Sequence, residues 1–243
     1  MGGLLGVLLL VASCSTGAST TRGRPGDSST TSTAAARVAA DHARAQAAVL
    51  RLSDLPAGWT ATPHRASPSV PGLDKRLAAC LGVSVGLLNG NDPTNADSPD
   101  FSNANGGEIS NSVGYEVTVG RARRVTAVLQ SPKMAPCLNS ALRTFLTSSL
   151  SHPATPSQSV PTGIGLGDST TTRLSFPTSG DATVAYRFEV PIEGAGSPLT
   201  VYGDFVFAAK GRAGTVLTVE SQAAPPDRTL EQKLVSTVVD RLE

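Results

Sequence analysis

TVAYRFEVPI (residues 183–192), LTVYGDFVFAA (199–209) and TVLTVESQ (215–222) follow one another with short breaks between them, and their reading decides the fold. Val184, Tyr186, Phe188 and Val190 fall on one side of the first run, and Val201, Phe205 and Phe207 on one side of the second. That is the two-residue period of strands with a face against a core. Lys210-Gly211-Arg212-Ala213-Gly214 supplies a turn between the last two runs, so they are expected to form an antiparallel meander. Pro226-Asp227 then opens a helix in which Leu230, Leu234, Val238 and Leu242 make a stripe that must pack on the sheet. The fold class that follows is α+β, an antiparallel β-sheet with helices packed on a face.

Upstream, Ser112 to Val119 alternates with Val113, Tyr115, Val117 and Val119 on one side and reads as a further strand. The period then changes. Arg121 to Gln130 and Met134 to Leu150 read as one helix broken at Pro132 and Pro136, with Leu138, Ala141, Leu142 and Phe145 facing inward. Ala34 to Arg51 is an Ala-rich helical segment, closed by Asp54-Leu55-Pro56-Ala57-Gly58-Trp59, in which Trp59 reads as a core anchor. Leu73 to Leu81 is a second helical segment. Asn89 to Gly107 is so rich in Asn, Asp, Gly and Pro that it reads as mostly loop.

The N-terminal end speaks to location. Leu10-Val11-Ala12-Ser13-Cys14 closes an apolar run, Leu4 to Ala12, that is far shorter than the ~20 residues a membrane-spanning helix needs. Small residues before a cysteine are the pattern of a bacterial lipoprotein signal, so residues 1–13 are expected to be a signal peptide and Cys14 the lipidated N-terminus. Ser15 to Thr33 holds almost no side chain able to join a core, and residues 14–35 read as a disordered tether. Residues 36–243 are then a single globular domain. With Cys14 assigned to lipid, Cys80 and Cys137 remain as an even pair in an oxidising compartment and are expected to form a disulfide.

Composition excludes some functions. With 40% hydrophobic and 16% charged residues the chain can build a core, and a formal charge of +1 argues against nucleic acid as a partner. His42 lies in the N-terminal helix, and His64 and His152 lie beside prolines in loops. No His-Glu-x-x-His, Cys-x-x-Cys or Gly-x-Ser-x-Gly motif is present, so no catalytic residue, metal ligand or cofactor is assigned. Gly163-Ile164-Gly165-Leu166-Gly167 misses the dinucleotide spacing and reads as a loop. Asp92, Asp97 and Asp100 offer oxygens to a hard cation but lack the spacing of a calcium loop, and read as a solvated acidic stretch. An enzyme would be favoured by two or more of Asp168, Asp204, Glu189, Arg187 and a histidine converging in one cleft.

Leu55-Pro56-Ala57-Gly58-Trp59, Ser131-Pro132-Lys133 ahead of Pro136-Cys137-Leu138, Gly167-Asp168 and the closing Arg241-Leu242 occur in this order. In them the chain resembles a group of actinobacterial, especially mycobacterial, lipoproteins, together with LpqN-type lipoproteins and the extracellular sensor domain of PknH-type receptor kinases. The resemblance runs from about residue 50 to the C-terminus. It implies a PsbP-like α/β sandwich and a cell-envelope binding or sensing module. The expected function is thus a lipid-anchored, noncatalytic module on the outer face of the plasma membrane, recognising an envelope protein, glycan or lipid. Two alternatives stand beside it. One is a carrier for a lipid or other apolar ligand, which needs a sizeable cavity; the other is a hydrolase whose site is assembled from distant residues.

Overall fold

A computed structural model of the chain describes residues 28–64, 72–88, 94–151, 165–194, 199–222 and 224–242. The signal segment, Cys14, Asp92 and His152 lie outside the described residues. In chain order the elements begin with helix α1 (Ser28–Ala48), a 3-10 turn (Leu52–Asp54) and strand β1 (Trp59–Thr62). Helices α2 (Leu73–Leu81) and α3 (Val85–Leu88) precede strands β2 (Ala96–Asp97), β3 (Asp100–Asn103) and β4 (Glu108–Tyr115). Helices α4 (Val119–Leu129) and α5 (Met134–Ser151) come next, then β5 (Gly165–Leu166) and β6 (Thr170–Leu174). The chain closes with β7 (Ala182–Glu193), β8 (Leu199–Lys210), β9 (Ala213–Gln222) and α6 (Arg228–Arg241).

The C-terminal meander forms as its alternation requires, β7 pairing with β8 and β8 with β9 in antiparallel register. The hairpin between β8 and β9 turns at Gly211, whose φ of +61° lies in the left-handed region that glycine enters without steric cost. Strand β4 then joins the far side of β9, and the nine-stranded sheet runs β1-β3-β4-β9-β8-β7-β5. Strands β2 and β3 share one edge of β4, interrupted at Ser98 and Pro99, while β5 and β6 share the outer edge of β7. The class is α+β with an antiparallel sheet.

Several boundaries differ from the sequence reading. Residues 89–107 contain β2 and β3, because Phe101, 1% exposed, and Ala96 supply an apolar side that the polar composition hides. Strand β4 ends at Tyr115 rather than Val119. Thr118 accepts a hydrogen bond from the Arg121 N–H at 3.1 Å and caps α4, leaving Val117 55% exposed; the alternation simply continued past the turn. The break between α4 and α5 falls at Pro132 alone, because Pro136 sits in the first turn of α5, where an N–H would have no partner within the helix. Helix α1 begins at Ser28 instead of Ala34, so the end of the expected tether is helical. Gly165 and Leu166 pair with Glu193 and Ile192 as an edge strand rather than a loop.

Helices cover both faces of the sheet. On one, Ala45, Ala48 and Leu50 at the end of α1 and Leu234, Val235 and Val238 of α6 pack on Phe101, Ile109, Val113, Leu217, Val206 and Ala185. Trp59 packs half-buried against this cluster. On the other face Leu81 of α2 and Met134, Leu138 and Leu142 of α5 pack on Val184, Tyr186, Phe188 and Phe207. Cys80 and Cys137 are disulfide-bonded with Cα atoms 5.8 Å apart, tying α2 to α5. Charged ties hold the first layer. Arg212 of the hairpin reaches both oxygens of buried Asp41 in α1 at 2.9 and 3.0 Å, and Arg241 at the end of α6 grips Asp54 at 2.6 and 2.9 Å. No helix among the described residues is long and apolar enough to cross a membrane.

Candidate functional site

Among the described residues the apolar packing of the second helical layer takes in only part of its face, and Ser110, Ser112, Thr218 and Glu220 beyond it are buried as well. Its apolar cluster draws on β7 and β8, with no residue of β1, β3 or β4 among the described ones. Since side chains alternate, register decides what the rest of that face presents. Thr60, Ser102, Glu108, Glu220, Gly203 and Phe188 are successive cross-strand partners and form one row across the sheet. The row changes from apolar to polar at Gly203. Alongside it Ser110 stands opposite Thr218, and Ser112 opposite Asp97.

At the rim, just beyond β1, His64 Nδ1 lies 2.7 Å from Asp100 Oδ1, while Nε2 lies 4.0 Å from Asp97 Oδ2. Thr60 and Ser102 hydroxyls are 3.3 Å apart. Further in, Glu220 is 8% exposed, opposite Glu108 on β4 and Gly203 on β8. Burial, and then the Glu108 carboxylate opposite, push Glu220 up to about 8. Glu108 is raised by its own burial and by Asp100. Asp97 is raised by burial and by Asp100, against the pull of His64. The named residues of this half-face include no lysine or arginine. Chemically it offers a neutral carboxyl able to release a proton near neutrality, more acidic carboxylates beside it, and hydroxyls that both donate and accept.

Of the residues whose convergence would have marked an enzyme, Arg187 and Asp204 do meet, on the opposite face of the sheet. They are directly opposed on β7 and β8, and Glu231 of α6 closes over them. Arg187 also reaches the Pro226 carbonyl at 3.5 Å. Glu189 is near enough to Arg187 to act on it electrostatically. Asp168 is elsewhere, exposed and paired with Arg143 at 3.3 Å. No described histidine joins the group, since His42 belongs to α1 and His64 to the polar rim. Asp204 and Glu231 are buried beneath α6, so this cluster holds the fold together and presents no cleft. Asp97 and Asp100 are strand residues flanking His64 rather than a solvated loop. Among the described residues no group of His, Cys, Asp or Glu is arranged to hold a metal ion.

Glu108, Glu220, Ser110 and Thr218 escaped the sequence reading. A signal for Glu220 was present, a charged residue inside a strand-like run, but its partner came from a segment more than a hundred positions earlier whose register no periodicity reveals.

No protein-family model matches the sequence, and no curated protein matches it. Among solved structures, the fold is similar to the extracellular domain of PknH from Mycobacterium tuberculosis, at 12% identity over 83% of this chain and 95% of that one, with a TM-score of 0.43. It is also similar to LpqN, involved in cell envelope biogenesis of Mycobacterium tuberculosis, at 14% identity over 76% of this chain and 77% of that one, with a TM-score of 0.25. Likeness at this level says nothing of a ligand or an activity, which must come from the residues of the site.

Proposed function

We propose that the chain is a lipid-anchored, noncatalytic binding module of the bacterial cell envelope. The polar half-face is its recognition surface. Lipid on Cys14 and the segment after it hold the domain at the outer face of the plasma membrane, and the sheet with its helical layers is a PsbP-like α/β sandwich. The observation that carries the reading is Glu220, buried opposite the Glu108 carboxyl in a row of carboxylates and hydroxyls. Burying a carboxyl beside a second carboxyl costs free energy that a purely structural face avoids with an apolar residue. The partner is an envelope protein, glycan or lipid, and no cofactor is required.

Fractionated envelope extract tests this by chemical-shift mapping on the domain. The expected result is a saturable ligand that moves the amides of Ser102, Ser110 and Thr218 and is lost in Glu108→Arg. Binding untouched by that substitution, or shifts confined to other faces, would remove the site. Anchoring is tested separately: Cys14→Ser is expected to move the protein from the detergent phase to the soluble fraction, and unchanged partitioning would refute the anchor.

A hydrolase is the second reading, favoured by one feature. Glu220, neutral near pH 7, faces a second carboxyl on the next strand, the kind of pairing that general acid catalysis uses. Turnover of glycoside, ester or peptide substrates that vanishes in Glu220→Gln would establish it in place of the module.

A further inference from the structure

The junction between β4 and α4 leaves apolar side chains in water. Val117 is 55% exposed and Val119 39%, and among the described residues Leu52 is the other large hydrophobic side chain left so open. The turn itself does not ask for valine, since Thr118 between them supplies the cap of α4. Arg121, the first arginine of the helix, is drawn away from this tip by Glu116 and by the Gly86 carbonyl.

Beyond the tip the same helix is basic. Residues three and four apart share a helix face, so Val119, Gly120, Arg123, Arg124 and Ala127, all exposed, form the solvent side of α4. The rest of the second helical layer continues it. Lys75 and Arg76 of α2, Lys133 in the turn after α4 and Arg143 of α5 are exposed too, and Arg173 of β6 reaches the Gln130 carbonyl at the end of α4. The described carboxylates of this layer are Asp74, Glu116 and Asp168, of which Glu116 pairs with Arg121 and Asp168 with Arg143. With the whole chain at a formal charge of +1, this basic excess is a local property of one surface.

We infer that this surface docks on an anionic phospholipid bilayer, with Val117 and Val119 entering between the headgroups and Arg123, Arg124 and their basic neighbours on the phosphates. Charge alone suits any polyanion. The exposed valines at the foot of a basic helix select a bilayer, because there an apolar side chain leaves water close to where a cation meets phosphate. No described helix can span a membrane, so the contact lies in the interface. Each Lys or Arg at such a surface strengthens partitioning about fivefold. The docking face is separate from the polar half-face and does not depend on the anchor. With lipid on Cys14 the two act together, since the segment from Cys14 to Ser28 reaches at most about 50 Å and keeps the domain beside the membrane.

The test uses the chain from Ser15 onward, which holds every described element but not the acylated cysteine. It is sedimented with vesicles of phosphatidylcholine alone and of equal parts phosphatidylcholine and phosphatidylglycerol. Binding is expected to the anionic vesicles only, and to weaken at least tenfold between about 0.1 M and about 1 M salt as the screening length shortens from ~10 Å to ~3 Å. Arg123→Glu with Arg124→Glu should weaken it at least tenfold. Val117→Ser with Val119→Ser should weaken it about fivefold, the effect of returning part of two valine surfaces to water. Arg37→Glu with Lys233→Glu, on exposed positions of α1 and α6 in the opposite layer, makes the same change of net charge and should leave binding as it was. In Val117→Trp the indole emission should move to the blue on anionic vesicles.

Equal binding to both kinds of vesicle, indifference to the arginine or the valine substitutions, or an equal loss from the α1 and α6 pair would overturn the inference. So would an indole emission unmoved on bound vesicles, or no sedimentation at millimolar lipid. Capture of soluble polyphosphate without vesicle binding would assign a polyanion in place of the bilayer and overturn it as well. None of these results touches the ligand expected at Ser102, Ser110 and Thr218.

Discussion

Arg187 grips both carboxylate oxygens of Asp204 across a strand pair, with Nε 2.7 Å from Oδ1 and Nη2 2.5 Å from Oδ2. Asp204 is 0% exposed, and Arg187 and Arg228 both act on Glu231 as well, so the Arg187 guanidinium offsets the Asp204 charge buried beneath α6. Arg187→Leu leaves Asp204 uncompensated. The expected loss is about 3–5 kcal/mol, the usual cost of removing one partner from a buried ion pair. Urea unfolding measures it. A loss below about 1 kcal/mol would show that Asp204 is not held as described.

Glu231 gives stability an unusual pH dependence. Its carboxyl is raised well above the ordinary carboxylate range by burial and then by Asp204, and Glu220 is raised to about 8. Between the unfolded value near 4.5 and the folded values, the native state binds more protons than the unfolded chain. Stability is therefore full at mildly acidic pH and falls as pH rises, with a slope on the order of 1 kcal/mol per pH unit for each such group. The urea midpoint is expected to decline from pH 5 to pH 9, and Glu231→Gln to flatten the decline. A midpoint constant from pH 6 to pH 8 in the unsubstituted protein would contradict the assignment.

Leu234 is 0% exposed in the middle of α6, at the centre of the layer shared with α1. Leu234→Ala should cost about 2–5 kcal/mol, the range for large-to-small changes at fully buried sites. Thermal and chemical unfolding both report it. A change under about 0.5 kcal/mol is what a surface position gives and would deny the packing of α6 on the sheet.

The bridge between Cys80 and Cys137 encloses α3, β2, β3, β4 and α4 in one loop. In the chain-entropy account, closing a loop of this size stabilises the fold by about 4 kcal/mol. Reduction is expected to lower stability by that order. Unfolded but unreduced protein should take up no thiol reagent at either cysteine, and labelling of both would dissolve the bridge.

Much of the architecture was legible because it depends on local periodicity. Val184, Tyr186, Phe188 and Val190 alternate, and Leu234 and Val238 recur at helical spacing, since each faces a core in a regular element. Where the reading failed, a tertiary contact outweighed composition. Phe101 turned an Asn- and Asp-rich stretch into an internal strand partner, and the Thr118 cap stopped a strand whose alternation ran on. The candidate site was nearly invisible. Glu108 and Glu220 are neighbours only because β4 docks against β9 in one particular register, and a slip of β4 by one residue would turn Glu108 to the other face, away from Glu220.

By itself the sequence determined the α+β class, the C-terminal meander with its closing helix, and the expectation of an exported, lipid-anchored chain with one disulfide. These follow from patterns that span a few residues, where side-chain period and chemistry act directly on the local backbone. Only the tertiary structure decided which polar residues share a face and which charges are buried. It placed Arg187 with Asp204 under α6 as part of the fold, and set Glu220 opposite Glu108. Burial and mutual field, which distinguish an ordinary glutamate from one poised near neutrality, are properties of distance in space, and strand pairing alone sets those distances.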